Sequence, residues 1–218
     1  MSQLIFKFPF KTNYNDKDFF VSSNNFEAYK LIESWPKWPD KWINIYGPSG
    51  CGKTHLTSIL KKKINLFSLN SYELNEKTIN LVDKYDCLVI ENYKNDIEEK
   101  LFYSFLNHVK QLNKFLLVNS SISIKNYEIK LNDLKSRVNS FIDLYIDLPS
   151  DDLLRVVISK SFSDRQINLS NKNLEYILKN IERSYEKIFK FTKEVDNISL
   201  STGKSININL IKKVLGNE

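Results

Sequence analysis

The sequence lacks any long apolar run. No stretch of about 18 consecutive apolar residues occurs among its 218 residues, so no segment predicts a membrane-spanning helix. The first residues also lack the basic and apolar segments of a signal peptide. Cysteine is scarce, and Cys51 and Cys87 stand in different local contexts, which argues against a disulfide framework and for a reducing compartment. We therefore expect a cytoplasmic protein with no membrane partner.

A concentrated basic patch is also absent. The formal net charge is +6, but the lysines are spread along the whole chain and Lys61–Lys63 is the one tight cluster. A diffuse excess of this kind indicates a composition bias more than a nucleic-acid surface. With 42% hydrophobic residues, the chain is long enough to bury a core as one large or two modest globular domains.

Glycine is scarce, yet three of the five glycines fall within one short motif. The stretch GPSGCGKT, residues 47 to 54, fits G-x-x-x-x-G-K-[ST] and lies between an apolar run and the helix-like HLTSILKKK. This is the P-loop context, in which backbone N–H groups surround phosphates at a helix N-terminus. Lys53 would reach the β- and γ-phosphates, and the Thr54 hydroxyl would bind Mg²⁺. The predicted nucleotide-binding residues are Gly47, Pro48, Ser49, Gly50, Cys51, Gly52, Lys53, Thr54 and His55; Cys51 and His55 need no chemical role.

A second strand supplies the acidic residue that a P-loop protein requires. In KYDCLVIENY, residues 84 to 93, Glu91 and Asn92 follow the apolar run. Glu91 is predicted to hold Mg²⁺, while an amide at Asn92 cannot act as a general base. We therefore expect weak intrinsic ATP hydrolysis. The alternative register makes Glu91 the base, but it leaves Ile90 at the metal position and is less plausible.

A third strand, KFLLVNSS at 114 to 121, ends in polar residues. The carboxyl end of a parallel strand faces the ligand, so Asn119 is expected to sense the γ-phosphate or orient water. A plain transition from strand to loop remains the alternative.

Four segments resemble those of one ATPase family. They are FFVSSNNFEAYKLI (19–32), GKTHL (52–56), LKSRV (134–138) and NIERSYEKIF (180–189). Together they resemble the AAA+ ATPases of the DnaA/Hda replication-initiator group. Two departures occur: Ser23 replaces a glycine in the first segment, and one extra residue precedes Arg183 in the last. Because no helix-turn-helix domain is predicted within the sequence up to Glu218, we expect the chain to resemble most closely the Hda-type regulatory inactivators of DnaA.

The resemblance assigns roles to two arginines. Arg137 takes the place of the arginine finger, which contacts a neighbouring subunit's nucleotide, and Arg183 takes that of the second sensor, which contacts the bound nucleotide in cis. A planar, permanently charged guanidinium suits the charge on phosphate oxygens, and such a finger raises rates by about 10³ to 10⁵. The predicted catalytic set is Arg137, Asn92 and Asn119.

The same resemblance implies the fold. Apolar runs near 43–46, 65–69, 87–90, 115–118 and 141–147 predict five parallel strands separated by helices. We expect an α/β P-loop AAA+ sheet over residues 13–149, followed by a small all-α lid domain over residues 150–218, whose first helix is capped within DLPSDD.

The first residues carry a separate feature. QLIFKF, residues 3 to 8, resembles the family's clamp-binding hexapeptide Q-L-x-L-x-L within a terminal peptide of residues 1–12. Gln3 would satisfy polar groups at a pocket rim, while Leu4, Phe6 and Phe8 fill an apolar cleft. A first strand of the core is the alternative.

The resemblance implies a function in the control of replication initiation. Bound to ADP or ATP with Mg²⁺ and tethered to the sliding clamp, the protein would stimulate ATP hydrolysis by a DnaA-type initiator. Two alternatives remain. One is a DNA-binding AAA+ helicase loader or adaptor, which steeply salt-dependent DNA binding would favour; the other is a binding module that uses the aromatic segment WPKWPDKW. Self-association and the identity of the resident nucleotide are left open.

Overall fold

The computed structural model describes residues 19, 21–164, 167–202 and 205–216. They divide into two compact units, and the division falls between Asp147 and Leu148. No helix within these ranges is both long and apolar enough to cross a bilayer. The predicted clamp-binding residues lie outside the described ranges: Gln3, Leu4, Phe6 and Phe8.

The amino-terminal unit is built on a five-stranded parallel sheet, as the sequence predicts. The strands stand in the order β2-β3-β4-β1-β5, and all four neighbouring pairs are parallel. The predicted fold class is therefore confirmed. The strand bounds are β1 Trp42–Tyr46, β2 Leu66–Asn70, β3 Cys87–Tyr93, β4 Phe115–Ser120 and β5 Ile142–Tyr145.

Helices cover both faces of this sheet. Side chains of β1 alternate between the faces, so Ile43 and Ile45 join one apolar cluster with α2, while Trp42 joins the other with α4 and α5. Burial on both faces explains why these strands read as continuous apolar runs. The helix bounds are α1 Phe26–Glu33, α2 Lys53–Lys61, α3 Glu76–Ile79, α4 Glu99–Gln111 and α5 Asn132–Asn139.

The tryptophans of WPKWPDKW pack at the start of β1. The rings of Trp35 and Trp38 meet edge to face at 5.2 Å, and Trp35 lies 4.3 Å from the ring of Phe115. The Trp38 indole N–H donates to the carbonyl oxygen of Leu31 at 2.9 Å. These contacts give the aromatic segment a packing role.

The carboxyl-terminal unit is helical. Ser150 caps its first helix, where its hydroxyl accepts from the backbone N–H of Leu153 at 3.4 Å. Ser170 and Asn207 cap two further helices in the same way. The helix bounds are α6 Asp151–Ser163, α7 Asn171–Asn180, α8 Tyr185–Thr202 and α9 Ile208–Leu215.

A buried asparagine ties the centre of the sheet to the loop after β4. The Asn44 amide on β1 donates to the carbonyl oxygen of Val118 and to the hydroxyl of Ser120, both at 2.9 Å. Its oxygen accepts from the backbone N–H of Ile124 at 3.0 Å. Asn44 has no exposed surface. These three bonds therefore replace the hydrogen bonds to water that its amide loses on burial.

Replacing Asn44 with alanine is expected to lower the free energy of unfolding by about 2 to 4 kcal/mol, because buried polar partners lose their bonds. All three tryptophans belong to the amino-terminal unit, so urea unfolding followed by tryptophan fluorescence reports on this unit. Asn126→Ala, an exposed amide in the same loop, should change stability by less than about 0.5 kcal/mol. Equal effects of the two variants would contradict the structural role of Asn44.

Candidate functional site

The P-loop requires glycine where it leaves the sheet. A Cβ added to Gly47 would lie 2.0 Å from the carbonyl oxygen of Ile146, the residue that follows β5. Gly50 and Gly52 have φ values of 77° and 107°, a region that side-chain-bearing residues rarely adopt. Gly52 is also the N-cap residue of α2. The motif therefore passes close to β5 and turns directly into the helix.

Lys53 lies against the loop that precedes it. Its ammonium group donates to the carbonyl oxygens of Gly47 at 2.6 Å and Pro48 at 2.9 Å, and it lies 3.6 Å from the Cys51 sulfur. Burial raises the pKa of the Cys51 thiol, and the nearby Lys53 charge opposes that rise only in part. Cys51 is therefore a neutral packing residue, and Lys53 is the positive charge of the loop.

Thr54 and Glu91 meet across the site. The Thr54 hydroxyl donates to Glu91 Oε2 at 3.2 Å, which joins the start of α2 to the end of β3. The other carboxylate oxygen, Oε1, is buried and has no hydrogen-bond partner within the described part of the chain. A hydroxyl beside a carboxylate with a spare oxygen is the oxygen-donor set that Mg²⁺ prefers. The structure thus brings together the two predicted metal residues.

Asn119, at the end of β4, points toward the same helix. Its amide nitrogen donates to the Thr57 hydroxyl at 2.9 Å, and Thr57 lies one turn beyond Lys53 on α2. The amide oxygen of Asn119 is buried, with no partner among the residues that the structure describes. Thr57 was not predicted from the sequence; its spacing of four residues from Lys53 is the signal that could have found it.

Asn92 is held at a different place. The register between β3 and β4 shifts at Ile90 to Tyr93, and Asn92 lies in this irregularity with φ of 56°. Its exposed amide donates to the side-chain oxygen of Asn70 on β2 at 2.8 Å. The structure therefore joins Glu91 to Thr54 but joins Asn92 to the outer strand.

His55 packs against the segment before α1. Its ring meets the ring of Phe19 edge to face, with centroids 5.1 Å apart. The side chain is 9% exposed. Although His55 follows the motif directly, its described ring contact is aromatic packing.

The two predicted arginines belong to different units. Arg137, on α5 of the amino-terminal unit, is half-buried, and its Nε–H donates to the side-chain oxygen of Asn107 on α4 at 3.0 Å. Arg183 lies between α7 and α8 of the helical unit, where its guanidinium pairs with Asp151 at 2.9 Å. More than half of both side chains of that pair is exposed, so the pair adds little stability.

The chain is similar in sequence to chromosomal replication initiator proteins named DnaA. The protein from Buchnera aphidicola is 28% identical over 243 aligned residues, which cover 99% of this chain and 53% of that protein. The protein from Campylobacter jejuni is 26% identical, and the alignment covers 93% of this chain and 52% of that protein. The chain thus spans about half the length of these curated relatives. No protein-family model matches it.

Solved structures agree with this likeness. Domain III of Thermotoga maritima DnaA superposes with a TM-score of 0.78 at 16% identity, over 96% of this chain and 98% of that one. The chain is thus similar to DnaA in sequence and shares the fold of its domain III. AMPPCP-bound DnaA from Aquifex aeolicus gives 0.72 at 19% identity, over 88% of this chain and 68% of that one. RuvB from Thermotoga maritima superposes with a TM-score of 0.69 at 19% identity, over 88% of this chain and 67% of that one. Structural likeness at these identities shows the fold of this chain; its activity has to be inferred from the site.

Gly47→Ala should destabilise the amino-terminal unit by about 1 to 3 kcal/mol, because the new methyl group overlaps a backbone oxygen and not a movable side chain. The measurement is thermal unfolding followed by circular dichroism. Gly216→Ala is the matched control, since Gly216 also has positive φ, of 72°, but no atom of the described residues lies within 4 Å of the added Cβ. If Gly47→Ala costs no more than this control, the close approach to Ile146 is not the constraint.

Proposed function

We propose that this DnaA-like chain is a nucleotide-binding regulator of replication initiation that stimulates ATP hydrolysis by a DnaA-type initiator. The observation that carries the proposal is the contact between Thr54 and Glu91 beside the glycine loop, with Asn92 bonded to the outer strand. This arrangement can hold a Mg–nucleotide complex without a general base. It suits a protein that binds nucleotide for long periods and acts on a partner's nucleotide.

ADP or ATP is the proposed ligand of the glycine loop. Backbone N–H groups of Gly50–Lys53 and the Lys53 ammonium group would hold the phosphates. Thr54 and Glu91 would hold Mg²⁺, which when bound neutralises charge on the phosphate oxygens. The unpartnered Glu91 Oε1 fits such a cation. In support, the similar Aquifex aeolicus DnaA is described as AMPPCP-bound.

Weak intrinsic hydrolysis follows from the residue beside Glu91. An attacking water must lose a proton, and a carboxylate can accept it whereas an amide cannot. Asn92 is an amide, and its side chain is engaged by Asn70. Asn119 can orient a water that donates to its unpartnered amide oxygen, but it supplies no base either.

Arg137 is the proposed trans-acting group. It is a half-buried cation, and no carboxylate among the described residues lies within ion-pair distance of it, so its charge is uncompensated. A guanidinium of this kind can stabilise negative charge on a neighbouring protein's ATP. Arg183 is proposed to contact this chain's own nucleotide in cis, exchanging its exposed pair with Asp151 for phosphate.

The sliding clamp is proposed as the second partner. This proposal is supported only by the sequence of QLIFKF, residues 3 to 8. Gln3 would anchor the peptide at a polar rim, and its apolar neighbours would fill a cleft. Direct DNA contact is less favoured. A structure of DnaA bound to AMPPCP and single-stranded DNA shares the fold, but in this chain the Lys61–Lys63 cluster is partly compensated, since Lys63 pairs with Glu33.

Glu91→Gln should weaken Mg²⁺-dependent binding of a fluorescent ADP analogue by about 10-fold, while binding in EDTA stays near the wild-type value. The reason is that the amide retains shape but loses the negative charge that attracts the cation. Glu128→Gln, an exposed carboxylate of the same unit, serves as the charge-matched control. Wild-type turnover of many ATP per minute would contradict the long-lived nucleotide state.

Arg137→Ala should abolish stimulation of an ATP-loaded DnaA-type initiator in the presence of clamp and DNA, since a lost finger lowers rates by about 10³ or more. The measurement is release of labelled phosphate from the initiator. Lys135→Ala removes an exposed positive charge from the same helix and should retain activity.

The tether is tested in the same assay. Gln3→Ala should raise the concentration needed for half-maximal stimulation when the clamp is on DNA, and should have no effect when the clamp is omitted. Loss with Arg137→Ala and full retention with Gln3→Ala would support the finger and reject the tether. No stimulation by the wild-type protein would reject the regulatory function.

A further inference from the structure

The helix that carries Arg137 is held by α4 at two separate places. In the last turn of α5, Arg137 Nε donates to Asn107 Oδ1 of α4 at 3.0 Å. Ahead of its first turn, the Glu99 carboxylate accepts from the backbone N–H groups of Lys130 at 2.9 Å and Leu131 at 2.7 Å. One helix thus fixes both the beginning of α5 and the side chain of its arginine.

Glu99 binds the backbone immediately before the first residue of α5. Leu131, the N-cap residue, has no side-chain oxygen and makes no side-chain cap bond. The N–H group of an N-cap residue has no partner within its own helix, and the Glu99 carboxylate satisfies that of Leu131 and places a negative charge near the start of the helix dipole. Leu134 and Val138 are buried in the apolar cluster that α4 also lines. Capping and packing together set the rotation of α5 about its axis.

The bond to Asn107 determines which guanidinium atoms remain available. Arginine carries donors only, so the oxygen of the Asn107 amide must face Nε. With Nε engaged, the two terminal Nη groups remain as a parallel pair of donors. That pair matches two oxygens of one phosphate, a bidentate geometry that adds direction as well as strength.

A neutral amide is also the partner that preserves the charge of Arg137. A carboxylate at position 107 would accept the same bond but would compensate the positive charge. Asn107 fixes the direction of the side chain without an ion pair, and no described carboxylate forms one with Arg137. The fixed side chain loses less conformational freedom when it meets a phosphate.

We propose that Asn107 is a positioning residue for Arg137, which holds the guanidinium so that its two Nη groups point end-on toward a neighbouring protein's ATP. The proposal rests on the trans-acting function proposed above for Arg137. Asn107 itself touches no nucleotide. Its contribution is to orient the arginine before the nucleotide arrives. A misplacement of about 1 Å can lower a catalysed rate 10²-fold.

The test compares Asn107→Leu, which keeps size but removes the acceptor, with Asn107→Asp, which keeps an oxygen at the same position. In the initiator assay, Asn107→Leu should lower the maximal stimulated rate about 10-fold to 100-fold and leave the half-maximal concentration unchanged. Combined with Arg137→Ala, it should cause no further loss. Gln111→Ala, an exposed amide one turn along α4, should behave as wild type.

A second readout needs no partner. The Nε–H proton of Arg137 should give a shifted, slowly exchanging ¹H–¹⁵N resonance in the wild type and in Asn107→Asp, and Asn107→Leu should lose it. A fully active Asn107→Leu beside an inactive Arg137→Ala overturns the positioning role but leaves the proposed function standing. An active Arg137→Ala overturns both. A Leu variant that instead raises the half-maximal concentration, or adds its loss to that of Arg137→Ala, also overturns the positioning role.

Discussion

The parallel direction of the five strands determines where polar chemistry can gather in the amino-terminal unit. With β1 between β4 and β5, the chain must leave β1 at the same edge where β3 and β4 end. Gly47 passes the end of β5 so closely that no side chain fits there. That passage sets the start of α2, and the start of α2 determines what Thr54 can reach. The contact of Thr54 with Glu91 depends on this geometry.

Buried hydrogen bonds hold these strand ends in place. Thr57 binds Asn119 between α2 and β4, and Asn44 binds the loop that follows β4 from the neighbouring strand. Each bond joins elements that are far apart in sequence, and each replaces contacts with water that burial removed. Because an unsatisfied partner would be costly, these bonds favour one arrangement over alternatives that pack equally well. Glu91 and Asn119, by contrast, each keep one buried oxygen without a partner among the described residues.

The sequence was informative where the signals are local. The glycine motif predicted the loop and the helix that follows it, and continuous apolar runs predicted five strands to within a few residues. The bounds of the last strand were less accurate: a run over 141–147 became β5 at Ile142–Tyr145. Phe141, the first residue of that run, packs instead in the apolar cluster beside Trp42.

Side-chain contacts between residues that are distant in sequence could not be predicted from such local signals. Adjacency in sequence placed Asn92 with Glu91, but a shifted register and a left-handed backbone turn it toward Asn70. The bond between Arg137 and Asn107 spans 30 residues, and no periodicity predicts which amide of α4 faces α5. Sequence patterns report which residues share a face, whereas side-chain bonding depends on how two elements are rotated against each other.

The two arginines show how environment separates residues of the same chemistry. Arg183 meets a carboxylate in an exposed setting, where water screens the charge and the pair can be exchanged at little cost. Arg137 meets a neutral amide while half-buried, where its charge is screened less and extends farther. An arginine intended to act on another protein's phosphate benefits from the second setting, because its orientation is fixed before the encounter while its charge remains uncompensated. The polar partner of each arginine therefore distinguishes the two proposed functions more clearly than the arginine itself does.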